Sequence, residues 1–201
     1  MDTKQRILTA SLVLFNKKGT EAITVRHIAS EVGISHGNLC YHFPTTDDIV
    51  TKLYFNLVEE LDALIKQMQA NGQVGLVDEG GKAILELLYK YRFLMLNFVD
   101  VMRRIPEIKK HYQKLQQRRK IEFKQVFENL VKGGFMRAEL YPGFYDDLIT
   151  NMTIIGDAWI LNAEILYTGN EKDKLDYYHR VISSLITPML TEKGLKMFRK
   201  E

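Results

Sequence analysis

The sequence predicts an all-α protein in two parts. Apolar residues recur three and four apart along most of its 201 residues, the period of a helix with one buried face. Alternating or β-branched runs bounded by turn residues do not occur, so strands are not expected. The composition also changes near residue 46. Before it, the expected helices are short and frequently capped; after it they are long, apolar and rich in Tyr, Phe and Met. A three-helix head over residues 1–46 and a helical body over 47–201 are therefore expected.

The first helix runs from about Thr3 to Lys18, with Ile7, Ala10, Ser11, Leu14 and Phe15 as its buried stripe and Gly19 as its stop. Thr24 caps a short helix through Val25, Ile28, Ala29 and Val32, which Gly33 ends. Ser35 caps a third helix through Leu39. It stops near Phe43, because the residue before Pro44 resists helical dihedrals. Thr45-Thr46-Asp47-Asp48 resembles a capping box and opens a fourth helix to about Ala70. Asn71 to Gly75 is an expected break, and Gly80-Gly81 a candidate second one. Further helices are expected over about Lys82–Arg103, Pro106–Val131, Pro142–Tyr167 and Lys172–Leu190.

Charge and cysteine content narrow the classes. The net charge of +3 is a mild basic excess. A single cysteine, Cys40, allows no internal disulfide and fits a reducing compartment. The opening residues carry no apolar signal core, and no run is apolar enough to span a bilayer. A cytoplasmic protein with no membrane partner is expected. Asn151-Met152-Thr153 matches a glycosylation acceptor, which without a secretory signal is read as chance. His36 and His42 lie six apart, on different sides of a helix, so no metal site is expected, nor any cofactor.

The stretch GISHGNLCYHF, residues 33–43, concentrates reactive side chains. Gly33 to Gly37 matches the G-x-S-x-G pattern of serine hydrolases. That nucleophile elbow needs a strand before the serine, and here a helix precedes it. No catalytic residue and no enzyme is expected. A helix-turn-helix accounts for more of the residues. Ala29 allows close approach of the two helices, and Gly33 suits a left-handed turn between them. Ile28, Val32, Ile34, Leu39 and Phe43 pack the pair, which leaves Ser35, His36, Gly37, Asn38, Tyr41 and His42 outside. Such a helix fits a major groove roughly 12 Å wide. Gly37 has no side chain to hold the backbone off the DNA, and the polar tips suit phosphates and base edges.

These residues carry a resemblance. Ile7-Leu8, Ala10 and Leu14-Phe15, then Gly19, then Thr24-Val25-Arg26-His27-Ile28-Ala29, then Val32 to Leu39 and Tyr41-His42-Phe43 are similar to the DNA-binding domain of the TetR family of bacterial transcriptional regulators. The resemblance covers about the first quarter of the chain. It implies an N-terminal three-helix helix-turn-helix domain followed by a larger helical ligand-binding and dimerisation domain. It implies that Thr24 holds a backbone phosphate through its hydroxyl and amide, and that Arg26 contacts phosphate or a base. Ser35, His36, Gly37 and Asn38 become the groove-facing start of the recognition helix. Tyr41 and His42 become contacts to phosphate or a thymine methyl. Two positions depart from the pattern: Cys40 stands where an aromatic is common, and Thr46 where a lysine commonly contacts phosphate. From the residues alone, His27 is expected to pack or cap, and Cys40 to be a small buried or half-buried residue.

By the same resemblance, the body binds a small effector and forms a dimer. Tyr89, Phe93, Leu96, Met102, Phe123, Phe127, Met152, Asp157 and Trp159 are the candidate effector residues, since Met and aromatic side chains can line an adaptable apolar cavity. The ordinary alternative for each apolar member is core packing. Asn97, Asp157 and Asn162 sit among apolar neighbours and need partners, which a ligand or an interhelical hydrogen bond would equally supply. The last two expected helices are apolar on more than one face. The resemblance pairs them with their copies in a homodimer that matches a palindromic operator. Between Arg103 and Lys124 stand nine Lys or Arg and two acids, read as a solvated face or as a field that attracts DNA. The expected function is that of a repressor released from double-stranded DNA by a small apolar or amphipathic effector. The alternatives are an activator or co-regulator with the same fold, and an all-helical small-molecule or lipid carrier with degenerate DNA binding.

Overall fold

A computed structural model describes residues 2–70 and 79–199, without the side chains of residues 79 and 197–199. Eleven α-helices are present among these residues: α1 (Thr3–Lys18), α2 (Val25–Val32), α3 (His36–His42), α4 (Thr46–Ala70), α5 (Glu79–Lys90), α6 (Arg92–Leu96), α7 (Phe98–Arg104), α8 (Pro106–Lys132), α9 (Phe144–Leu166), α10 (Lys174–Ser183) and α11 (Glu192–Arg199). The described residues form no strand, and their one isolated bridge joins Met136 to Leu190. The fold is all-α, as the periodicity predicts. The expected break at Asn71 to Gly75 lies outside the described residues. Gly80-Gly81 is not a break, because both residues lie inside α5.

The chain forms two compact units. The first combines residues 1–61 with 87–110. Its centre is Ile7, Phe15, Ile28, Leu39, Ile49 and Phe93, all nearly or fully buried. The expected single helix over Lys82–Arg103 is here three pieces, and the reason is tertiary. Asn16 on α1 donates to the Lys90 carbonyl at 2.8 Å and accepts from the Phe93 amide at 3.1 Å, occupying the joint between α5 and α6. At the next joint, Asn97 accepts from the amide and the hydroxyl of Thr20 at 3.2 and 3.1 Å. Arg104 then bonds Asp47 at 2.9 Å and Asp100 at 2.8 Å. No glycine or proline marks these joints, so the sequence pattern runs through them.

The second unit combines residues 62–86 with 111–201. Phe127, Leu130, Met136, Tyr145, Leu148, Ile149, Ile186, Met189 and Leu190 form its apolar cluster. The expected helix over Lys172–Leu190 is also broken. A 3-10 turn at Glu171–Asp173 precedes α10, and another at Thr187–Met189 follows it. The chain then turns to pair with residues 135–137: Arg137 donates to the Met189 carbonyl at 2.8 Å and Thr191 to the Phe135 carbonyl at 3.0 Å. Gly194 on α11 lies so close that an added Cβ would stand 2.1 Å from the Phe135 carbonyl oxygen.

Candidate nucleic-acid interface and ligand site

The reading helix is set by its caps. Thr24 accepts from the His27 amide, and His27 Nδ1 accepts from the Thr24 amide at 3.2 Å, a reciprocal box with histidine where an acid is usual. Gly33 closes α2 at φ 71°, ψ 39°, the left-handed turn expected of it. The Ile34 amide returns to the Ala29 carbonyl at 3.0 Å, and Arg6 Nη2 donates to the Val32 carbonyl at 2.7 Å, tying α1 to this turn. Ser35 then caps α3, accepting from the Asn38 amide at 3.1 Å.

The two sides of α3 follow from this phase. Leu39 is fully buried against α2, beside buried Ile28, Ala29, Val32 and Phe43. Ser35, His36, Gly37, Asn38 and Tyr41 are exposed, and His42 is half-buried. Tyr41 keeps 85% of its surface open, an unusual exposure for a large ring that packing does not explain. Among the described residues, a Cβ added at Gly37 meets nothing within 4 Å, so the glycine is not needed for packing there. Arg26 is exposed and enters no hydrogen bond or ion pair among the described residues. Thr46 is half-buried at the start of α4. Beside it Thr45 and Asp48 exchange capping bonds, with the Thr45 amide donating to Asp48 Oδ2 at 2.8 Å. Cys40 is half-buried and its Sγ lies 3.4 Å from His36 Nε2, a pair four residues apart that the spacing alone could have revealed.

The candidate effector residues divide between the units. In the first, Phe93 is buried and meets Phe15 at 5.2 Å between ring centroids. Leu96 and Met102 are half-buried, and Arg92 lies over the Tyr89 ring at 4.9 Å. In the second, Phe127 belongs to the apolar cluster, with Phe123 and Met152 packed against it. Trp159 is buried and stacks near Tyr178 at 5.5 Å. Asp157 accepts from the Tyr112 hydroxyl at 2.6 and 2.7 Å; burial pushes its carboxyl up, and the Tyr112 bond pulls it partly back. Asn97, Asp157 and Asn162 all have protein partners, the last accepting from the Tyr178 hydroxyl at 2.7 Å. An open cleft of about 660 Å³ beside the start of α9 is lined by Lys124, Leu140, Tyr141 and their neighbours, and by none of the candidates.

Two surface features complete the geometry. Part of the basic stretch is used internally: Arg118 and Arg119 both pair with Asp62 and Glu122, and Lys120 and Lys124 with Asp146, whose carboxyl they hold below its usual range. Arg103, Lys109, Lys110 and Lys114 enter no ion pair among the described residues. On α9, Ile154, Leu161 and Ile165 form an exposed apolar stripe, and Tyr177 and Val181 do the same on α10. Among the described residues no group of three or more metal-ligating side chains occurs, and no helix is long and apolar enough to cross a membrane.

Comparison with known proteins gives one answer for both parts. Residues 7–53 match the family of bacterial regulatory proteins named after TetR, and residues 56–198 match the TetR model described as a bacterial transcriptional repressor. The HTH-type transcriptional regulator YerO of Bacillus subtilis strain 168 is 43% identical over 49 residues, which is 24% of this chain and 17% of that protein. A TetR-family regulator from Marinobacter aquaeolei VT8 superposes with a TM-score of 0.80 at 23% identity, covering 100% of this chain and 98% of its own. A transcriptional regulator from Saccharomonospora viridis, in complex with choline, gives 0.72 at 20% identity over 94% and 98%. The ketosteroid regulator KstR2 of Mycobacterium tuberculosis gives 0.70 at 17% identity over 95% and 96%. The head, the body and the helical architecture agree: this chain belongs to the TetR family of bacterial transcriptional regulators.

Proposed function

We propose that this regulator is a cytoplasmic, homodimeric repressor that leaves its operator when a small effector binds. The observation that carries the DNA reading is the split of α3 into a buried side at Leu39 and an exposed polar side at Ser35, His36, Gly37, Asn38 and Tyr41. Thr24, Arg26, His42 and Thr46 complete the proposed contact set. Residues 1–46 act as the reading head and 47–201 as the effector-binding and dimerisation domain. The exposed stripes of α9 and α10 support a two-fold interface, since contiguous apolar surface on a monomer marks a place to be covered. Repression is a population shift: an effector favouring a differently spaced pair of heads lowers operator affinity by its differential affinity for the two states. The fold is shared with a regulator that binds choline, which supports a small-molecule effector here.

The test is selection from a random duplex pool by the purified protein, followed by sequencing of the retained DNA. A two-fold symmetric consensus with half-sites roughly 34 Å or more apart is expected. Sequence-blind retention would instead favour the carrier reading, for which the Thr46 and Cys40 departures are the supporting residues.

A further inference from the structure

The buried face of α9 is interrupted in the middle. Tyr145, Leu148 and Ile149 precede the gap, the last at 2% exposure, and Trp159, Ile160 and Ala163 follow it at 2, 0 and 2%. The helical period places Met152 and Gly156 on that same face between them. Both keep partial exposure, as do Thr153, Ile155 and Asp157. Among the described residues, a Cβ added at Gly156 would meet no heavy atom within 4 Å. Glycine in mid-helix weakens the helix relative to alanine, and here no close packing asks for it. The core-facing side of α9 therefore has open space at Gly156, where the turns above and below are tightly filled.

Next to Gly156 in sequence stands a charge that no ion pair among the described residues neutralises. Asp157 follows Gly156 and is half-buried. Its carboxylate accepts from the Tyr112 hydroxyl on α8, which is neutral. None of the ion pairs among the described residues includes Asp157. Further along α8, the guanidinium groups of Arg118 and Arg119 are held by Asp62 and Glu122. A partly buried carboxylate with no cation is costly, and a ligand cation would supply one. Burial also raises its proton affinity, consistent with a site that gains from a positive partner.

We propose that this notch binds a small organic cation with an apolar body: Gly156 leaves room for the body, Met152 walls it, and Asp157, positioned by Tyr112, takes the charged head. This deepens the effector-binding part of the proposed function and rests on it. The apolar body meets the sulfur and methylenes of Met152, a side chain suited to irregular ligands.

The experiment uses three probes with one hydrophobe and different heads: 4-phenylbutylamine, 4-phenylbutanol and 4-phenylbutyrate. Trp159, two residues from Asp157 and the only tryptophan, reports binding by its emission. The full-length protein is expected to bind the amine about tenfold tighter than the alcohol, and the carboxylate weakest. Asp157→Asn should erase the difference between amine and alcohol. Gly156→Leu should fill the space and abolish binding of all three, with thermal unfolding run on each variant to show that it folds. Tyr112→Phe keeps the charge but removes the bond that positions it, and should shrink the amine preference without erasing it. An alcohol as tight as the amine, or a preference that survives Asp157→Asn, overturns the cation assignment while leaving an apolar pocket standing. No binding by any probe, or binding unchanged in Gly156→Leu, overturns the notch itself. If the amine binds as expected but does not release DNA, the site stands and the effector role falls.

Discussion

Arg26 offers a sharp test of the DNA interface, because the structure separates it from every other role. It is exposed just inside α2, beside the Thr24 cap, and has no internal partner among the described residues. Replacing it with glutamine should leave the fold untouched. If it neutralises one phosphate per head, a dimer loses two such contacts. Each contributes about 0.9 to the slope of log K against log salt, so the slope should flatten by about 1.8. Between about 50 and about 200 mM salt, the wild-type protein would then lose roughly twelvefold more affinity than the variant loses. The assay is fluorescence anisotropy with a duplex across a salt series. Arg104→Gln is the control: it removes the same charge, but that guanidinium is engaged with Asp47 and Asp100. Its variant should melt earlier and keep the wild-type slope. An unchanged slope for Arg26→Gln, with an unchanged melting temperature, would remove Arg26 from the interface.

Other expected outcomes follow from packing and charge. Leu39→Ala, at a fully buried site holding α3 on α2, should cost about 2–5 kcal/mol in denaturant unfolding, and a loss below about 1 kcal/mol would contradict the packing. Gly194→Ala forces a Cβ onto the Phe135 carbonyl, and a destabilisation of about 1–3 kcal/mol is expected; a neutral result would mean α11 does not pack there. Ile165→Glu places a charge in the exposed stripe of α9 and should shift the protein from dimer to monomer in light scattering, with a persistent dimer locating the interface elsewhere. Asp157 has a raised carboxyl affinity when folded, so its contribution favours the fold at low pH and is lost as pH rises above the ordinary Asp range through the raised value. Asp157→Asn should accordingly be at least as stable as wild type near neutral pH, with the gap narrowing on acidification. A variant markedly less stable at neutral pH would reverse that sign.

The head was legible because its signals are local. Thr24, Gly33 and Ser35 each act within four residues of themselves, through caps and one left-handed turn. The side of α3 that faces out follows from the phase of Leu39 alone. The body was legible only as helices. Its breaks at Tyr91 and Asn97 depend on Asn16 and Thr20, more than seventy residues away in sequence, and no local residue signals them. The turn after α10 depends on pairing with residues 135–137. Among the candidate effector residues, composition identified bulky side chains but could not separate the packed Phe93 and Phe127 from the half-open Met152. The proposed notch turns instead on a residue with no side chain, Gly156, which composition does not single out.

The central claim is that α3 reads DNA in the major groove. Methylation interference on the selected duplex tests it most directly, since guanine N7 lies in the major groove and adenine N3 in the minor. The account predicts that N7 methylation blocks binding in two symmetric segments, one for each head, and that N3 methylation between them does not. Interference confined to the minor groove, or none in either groove, would contradict the assignment of α3 as the reading helix.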